Sequence, residues 1–122
     1  MIVKRISVGA LKKLLDGKVK VSTTCVVKFY SNKCHLCHAL RDYYEEIAAV
    51  YPNILFFAFN TGTPDARQLK NTLKINGVPS IALIKTALAG KPKIHMLGEP
   101  QKPHEKTWYT SRDITDFIEE YK

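Results

Sequence analysis

A chain of 122 residues, 45% hydrophobic and 25% charged, fits a single domain spanning residues 1–122 with its own apolar core, and its composition excludes a disordered chain. No run approaches the roughly 20 apolar residues that span a bilayer, and the opening MIVKRISVGALKKLL lacks an apolar leader core with a small-residue cleavage site, so a cytoplasmic protein without membrane contact is expected. The formal net charge of +8 is concentrated early, with eight Lys or Arg against the single Asp16 in residues 1–33. It favours acidic partners, but with no Gly-rich phosphate cradle and no compact aromatic and basic motif, specific nucleic-acid binding is not expected.

The first element is SVGALKKLLDGK, a short helix ending near Gly17 with Leu11, Leu14 and Leu15 on one side and lysines on the other. CVVKFY, Cys25 to Tyr30, is β-branched and aromatic and carries apolar residues on both faces, the pattern of an interior strand. CHALRDYYEEIAAVY follows as a helix: Leu40, Tyr43 or Tyr44, Ile47 and Val50 or Tyr51 recur at helical spacing, and Pro52 marks the end. NILFFAF is a second strand, TPDARQLKNTL a helix with Pro64 in its first turn, and VPSIALI a third strand that begins at a proline, where the missing N–H is tolerated.

From Thr86 to Trp108 the prolines and glycines divide KIHML from KTWYT, which predicts an extended hairpin carrying a proline-rich excursion. SRDITDFIEEY closes the chain as a helix capped by Ser111, with Ile114, Phe117, Ile118 and Tyr121 on one face. Together these elements predict a βαβ core followed by strands and a closing helix, without internal repeats.

The chemistry is concentrated in NKCHLCHAL, where Cys34 and Cys37 flank His35 and Leu36 at a strand-to-helix turn. Two intervening residues let the sulfurs approach beside unpaired amides at a helix N-terminus, a setting that lowers a thiol pKa from about 8.5 to roughly 3.5–7.5. The same letters satisfy the Cys-x-x-Cys-His pattern of covalent haem attachment, for which Met96 is only a distant axial candidate. They also offer sulfur and imidazole ligands for zinc or copper, although neighbouring helix residues point in different directions and no second ligand cluster is evident. The redox reading needs no cofactor and no metal, because the transferred equivalent resides in the cysteine pair.

The order strand, Cys-x-x-Cys, long helix, strand, helix and then GVPS before another strand resembles the thioredoxin superfamily, including protein disulfide isomerase domains. The resemblance covers Val26 to Ile84 and resumes in the last helix. It implies an α/β fold with a thioredoxin-like central mixed sheet flanked by helices, and thiol–disulfide oxidoreductase activity with Cys34 as nucleophile and Cys37 as resolver. It further implies that Pro79 is a cis-proline beside the active disulfide and that Val78 pairs with an extended substrate. Partners would be protein disulfides or dithiols and an upstream reductant such as a reductase or glutathione. The alternative is a protein-binding module that keeps the fold without redox turnover.

Five positions depart from the family pattern. His35-Leu36 is neither Gly-Pro nor Gly-His, and Lys33 stands where an aromatic residue usually precedes the first cysteine. Lys28, six residues before Cys34, occupies the place of a buried acid, while Ala58 matches the family's buried lysine. Lys28, Lys33 and His35 are therefore candidate tuning residues: a charged Lys28 favours thiolates, and a neutral one can take a proton from Cys37. His38 is expected to face solvent and Cys25 to be buried as a small hydrophobe; Tyr30 reads first as a core residue and Trp108 as either a packing anchor or a contact surface, with both as candidates for the walls of a groove.

Overall fold

The computed structural model describes residues 2–88 and 90–122. Strand β1 is Lys4–Arg5, helix α1 Val8–Leu15, β2 Thr23–Tyr30, α2 His35–Val50 and β3 Leu55–Asn60. A 3-10 turn at Pro64–Ala66 leads into α3, Arg67–Thr72, followed by β4 Ser80–Thr86, β5 Lys93–Met96 and α4 Ser111–Tyr121. Among the described residues the strands form one five-stranded sheet in the order β1-β3-β2-β4-β5. β2 pairs in parallel with β3 and antiparallel with β4, which makes the sheet mixed.

Strand alternation sends β2 side chains to opposite faces and so builds two cores. Val26 joins Leu40, Tyr44 and Ile47 of α2 and Ile114 and Ile118 of α4 on one face. Val27 and Phe29 join Leu11 of α1 and Leu69 of α3 on the other. Lys28 shares the parity of Val26, so the sequence places a lysine on the apolar face beneath α2, opposite Ala58 of β3 and Ile81 of β4.

Two helices on the second face end in the same backbone turn. In α1, Gly17 donates to Leu14 O and Lys18 to Lys13 O; in α3, Lys74 donates to Asn71 O and Ile75 to Lys70 O. This paired arrangement requires a left-handed residue just past the helix. Gly17 supplies it at φ 72°, whereas α3 uses Lys74 at φ 56°. The turn after α3 delivers the chain to buried Ile75 and then to the Val78-Pro79 bond, which is cis.

The C-terminal expectations need two corrections. KIHM forms a hairpin with β4, but KTWYT is no strand: the described chain there holds only a bridge in which His104 and Trp108 exchange backbone hydrogen bonds of 2.9 Å. The α4 cap is Thr110, not Ser111. The Thr110 hydroxyl accepts from Asp113 N and the Asp113 carboxylate accepts from Thr110 N, a reciprocal capping box that Ser111, one residue later, cannot make. β1 was not expected; it is two residues long, pairs with Phe57 and Ala58, and is held by Glu45 of α2, whose carboxylate accepts from Ile2 N and Val3 N.

Candidate active site

β2 ends at Tyr30, and a turn through Asn32 and Lys33 leads to Cys34, the N-cap of α2. An N-cap residue is extended and its side chain accepts an orphan amide of the first turn. Cys34 does this with sulfur: at φ −90°, ψ 105°, its Sγ accepts from Cys37 N at 3.1 Å. The fold thus aims a backbone donor at the first sulfur, and the positive end of a 16-residue helix adds to its field.

Cys34 and Cys37 form a disulfide with Cα atoms 5.2 Å apart. Their accessibility differs. Cys34 is half-buried, whereas Cys37 is 2% exposed on the inner side of the helix. On the other side of the pair, Cys34 Sγ lies 3.7 Å from Val78 O, so the sequence-distant GVPS segment meets the cysteines. Pro79 is buried, Val78 is half-buried, and Ser80 donates its hydroxyl to Gly77 O at 2.6 Å, which closes the turn locally.

Behind Cys37 the structure opens a cavity of about 230 Å³, bordered by Lys28, Tyr30, Asn32, Cys37, His38, Arg41, Tyr44, Glu45 and Ala58, and by Val3, Lys4 and Arg5 of the N-terminal segment. Lys28 is 4% exposed and its Nζ lies 5.0 Å from the centre of the Tyr44 ring. Desolvation, and after it the positive charge of Arg41, lowers its pKa from 10.5 to about 8 against the opposing charge of Glu45. Tyr44 itself is engaged elsewhere, its one hydroxyl proton shared between Phe57 O at 2.9 Å and Val26 O at 3.1 Å.

The other sequence candidates are placed unequally. Lys33 and His35 are exposed, before and after Cys34, without hydrogen bonds to it among the described residues. His38 is exposed as expected, but its Nε2 hydrogen-bonds to Asn32 O at 2.9 Å and its ring borders the cavity. Tyr30 borders the cavity, whereas Trp108, at φ 63°, packs against the α2 and α4 core, so the two do not line one groove. Cys25 is fully buried, and desolvation raises its pKa despite a hydrogen bond with Thr23. No group of three or more His, Cys, Asp or Glu side chains suited to a metal occurs among the described residues.

Sequence reasoning missed Arg41, Glu45, Lys4 and Arg5. The signal for the first two was present: Cys37, Arg41, Tyr44 and Glu45 stand at i, i+4, i+7 and i+8, one face of α2. β1 carries no such pattern.

Comparison with known proteins places this geometry in context. The sequence profile described as Thioredoxin matches residues 10–109. No curated protein matches significantly. Among solved structures, the J-Trx1 fragment of ERdj5 superposes with a TM-score of 0.69 at 18% identity over 98% of this chain; the match covers 51% of that chain, so the present chain spans about half its length. A chain of the complex between ferredoxin:thioredoxin reductase and thioredoxin f2 gives a TM-score of 0.70 at 18% identity, covering 97% of this chain and 93% of that one. Oxidized mitochondrial thioredoxin 3 from Saccharomyces cerevisiae gives 0.65 at 13% identity, covering 98% and 94%.

Proposed function

Because the chain belongs to the thioredoxin family and carries an intact Cys-x-x-Cys redox centre, we propose that it exchanges disulfides with protein substrates, with Cys34 attacking and Cys37 resolving. The observation that carries this reading is the half-buried Cys34 sulfur, capped by an amide of its own helix and 3.7 Å from Val78 O.

In the reducing direction, the Cys34 thiolate attacks one sulfur of a substrate disulfide, breaking that bond and releasing one substrate thiolate. Cys37, one helical turn inward, then loses its proton and attacks Cys34 Sγ. This forms the intramolecular disulfide and releases the second substrate thiolate, so two electrons pass to the substrate. The opposite sequence oxidises a substrate dithiol. An extended substrate would lie along Val78, which is half-buried and whose carbonyl lies beside Cys34.

Lys28 is proposed to assist the second step. Below pH about 8 it is mainly an ammonium, whose field favours the Cys37 thiolate while the proton leaves through the cavity. Above that pH the neutral amine can take the proton itself. Stabilising thiolates stabilises the reduced protein, so this reading places the potential above the value of about −270 mV typical of thioredoxin. Lys33 and His35 add weaker, salt-screened contributions, because both are exposed. Partners are protein disulfides or dithiols, with a reductase or glutathione as upstream donor. A reducing compartment such as the cytoplasm suits an unpaired third cysteine.

Insulin reduction with dithiothreitol as electron source tests the activity. Intact protein is expected to accelerate disulfide cleavage, and Cys34→Ser to fall to the background rate. Equal rates from both proteins would leave a binding module without turnover.

A further inference from the structure

The cavity behind Cys37 carries more positive charge than disulfide exchange requires. Its wall holds Lys4 and Arg5 from β1, Lys28 from β2, and His38, Arg41 and Glu45 from α2. The one carboxylate is already engaged, because its two oxygens accept from Ile2 N and Val3 N at 3.0 and 3.1 Å. Lys28 is 4% exposed and enters none of the ion pairs found among the described residues; its ammonium lies 5.0 Å from the Tyr44 ring centre at the cavity wall, where Glu45 is the one charge that favours it. Desolvation disfavours this buried ammonium more than the single Glu45 carboxylate favours it. Here a second cation, Arg41, borders the same cavity and adds repulsion.

The space of about 230 Å³ is far more than the about 10–15 Å³ that one water needs. A tetrahedral oxyanion supplies what the wall lacks: several acceptor oxygens for ammonium and guanidinium donors, and a charge that offsets the mutual repulsion of Lys28 and Arg41.

We infer that this cavity is a binding site for a free oxyanion of the phosphate class, held by Lys28 and Arg41 with Lys4 and Arg5 around it. The anion and the Cys37 thiolate draw on the same cations, so the anion binds the oxidised protein more tightly than the reduced one. That consequence rests on the exchange chemistry proposed for Cys34 and Cys37; the site itself does not. A tenfold preference for the oxidised form moves the midpoint potential of the couple to more negative values by about 30 mV.

Titration of inorganic phosphate into the oxidised protein, at ionic strength held constant with chloride and followed by amide NMR shifts, tests the inference. Saturable shifts are expected at Cys37, Arg41 and Arg5, with affinity lowered at least tenfold in both Lys28→Met and Arg41→Gln. Arg41 is exposed, so Arg41→Gln decides the matter should Lys28→Met fail to fold. Absence of saturation, or unchanged affinity in Arg41→Gln, overturns the site. The titration involves no turnover, so its failure leaves the exchange reading intact, and failure of the insulin assay leaves the phosphate affinity standing.

Discussion

Lys28 carries a pH-dependent cost of burial into the stability of the fold. Its burial beside Tyr44 and opposite Ala58, together with the Arg41 charge, favours the uncharged amine, and the pKa of about 8 expresses that penalty net of Glu45. In the unfolded chain the same amine titrates near 10.5. Between these values the unfolded state binds more protons than the folded state, so this group makes stability rise with pH from about 8 to about 10.5. Lys28→Met removes that rise and is expected to be more stable than the parent at pH 7 by on the order of 1–3 kcal/mol, with the difference shrinking as pH increases toward 10. Urea unfolding of both proteins across that pH range checks the sign; a parent more stable than Lys28→Met at pH 7 would show that the ammonium is satisfied in the fold. The same variant is expected to have a more negative Cys34–Cys37 potential, because the thiolates lose a favourable charge.

At the scale of elements, α1 and α3 offer a comparison within one molecule. Both end in the same pair of backbone hydrogen bonds, but one uses Gly17 and the other Lys74 in the left-handed region. A side chain in that region costs roughly 1–2 kcal/mol relative to the right-handed form, a penalty glycine escapes. Lys74→Gly is therefore expected to stabilise the protein by about 0.5–1 kcal/mol, part of the gain being lost to the greater freedom of glycine in the unfolded chain. Gly17→Lys is expected to destabilise it by about 1–2 kcal/mol. Thermal unfolding of the two variants decides this, and changes of the same sign in both would contradict it.

Elements also set what the sequence could reveal. α2 and β2 were legible because long periodic segments state their buried face: Leu40, Tyr44 and Ile47 recur every three or four residues, and Cys25 to Phe29 are buried without a break. β1 was not legible, since two residues carry no period and its existence depends on Glu45, 40 positions along the chain from Arg5, gripping Ile2 and Val3. The segment after β5 misled through composition. KTWYT has strand-forming side chains, yet Trp108 adopts a left-handed conformation that ends any ladder. For α4, Ser111 and Thr110 are both capping types, and only the reach of Asp113 back to Thr110 distinguishes them.

Across the whole molecule, the mixed sheet separates two cores, and α2, lying over one of them, presents the cysteines at the C-terminal end of β2. The loop before β4 reaches the same place because β4 is antiparallel to β2, which sets Ser80 opposite Phe29. Two segments 44 positions apart thereby meet at Cys34 and Val78. The cysteine spacing and the Val78-Pro79 pair were visible in sequence, but the cationic cavity was not, because it is assembled from β1, β2 and one face of α2.

The assignment of Cys34 as the attacking sulfur is tested most directly by covalent trapping. Reduced Cys37→Ser, mixed with a protein disulfide and quenched with acid, is expected to accumulate a mixed disulfide that peptide mass mapping places at Cys34. Reduced Cys34→Ser should accumulate little or none, since Cys37 is 2% exposed. Adducts that map to Cys37, or equal trapping by both variants, would contradict the assignment of the two sulfurs.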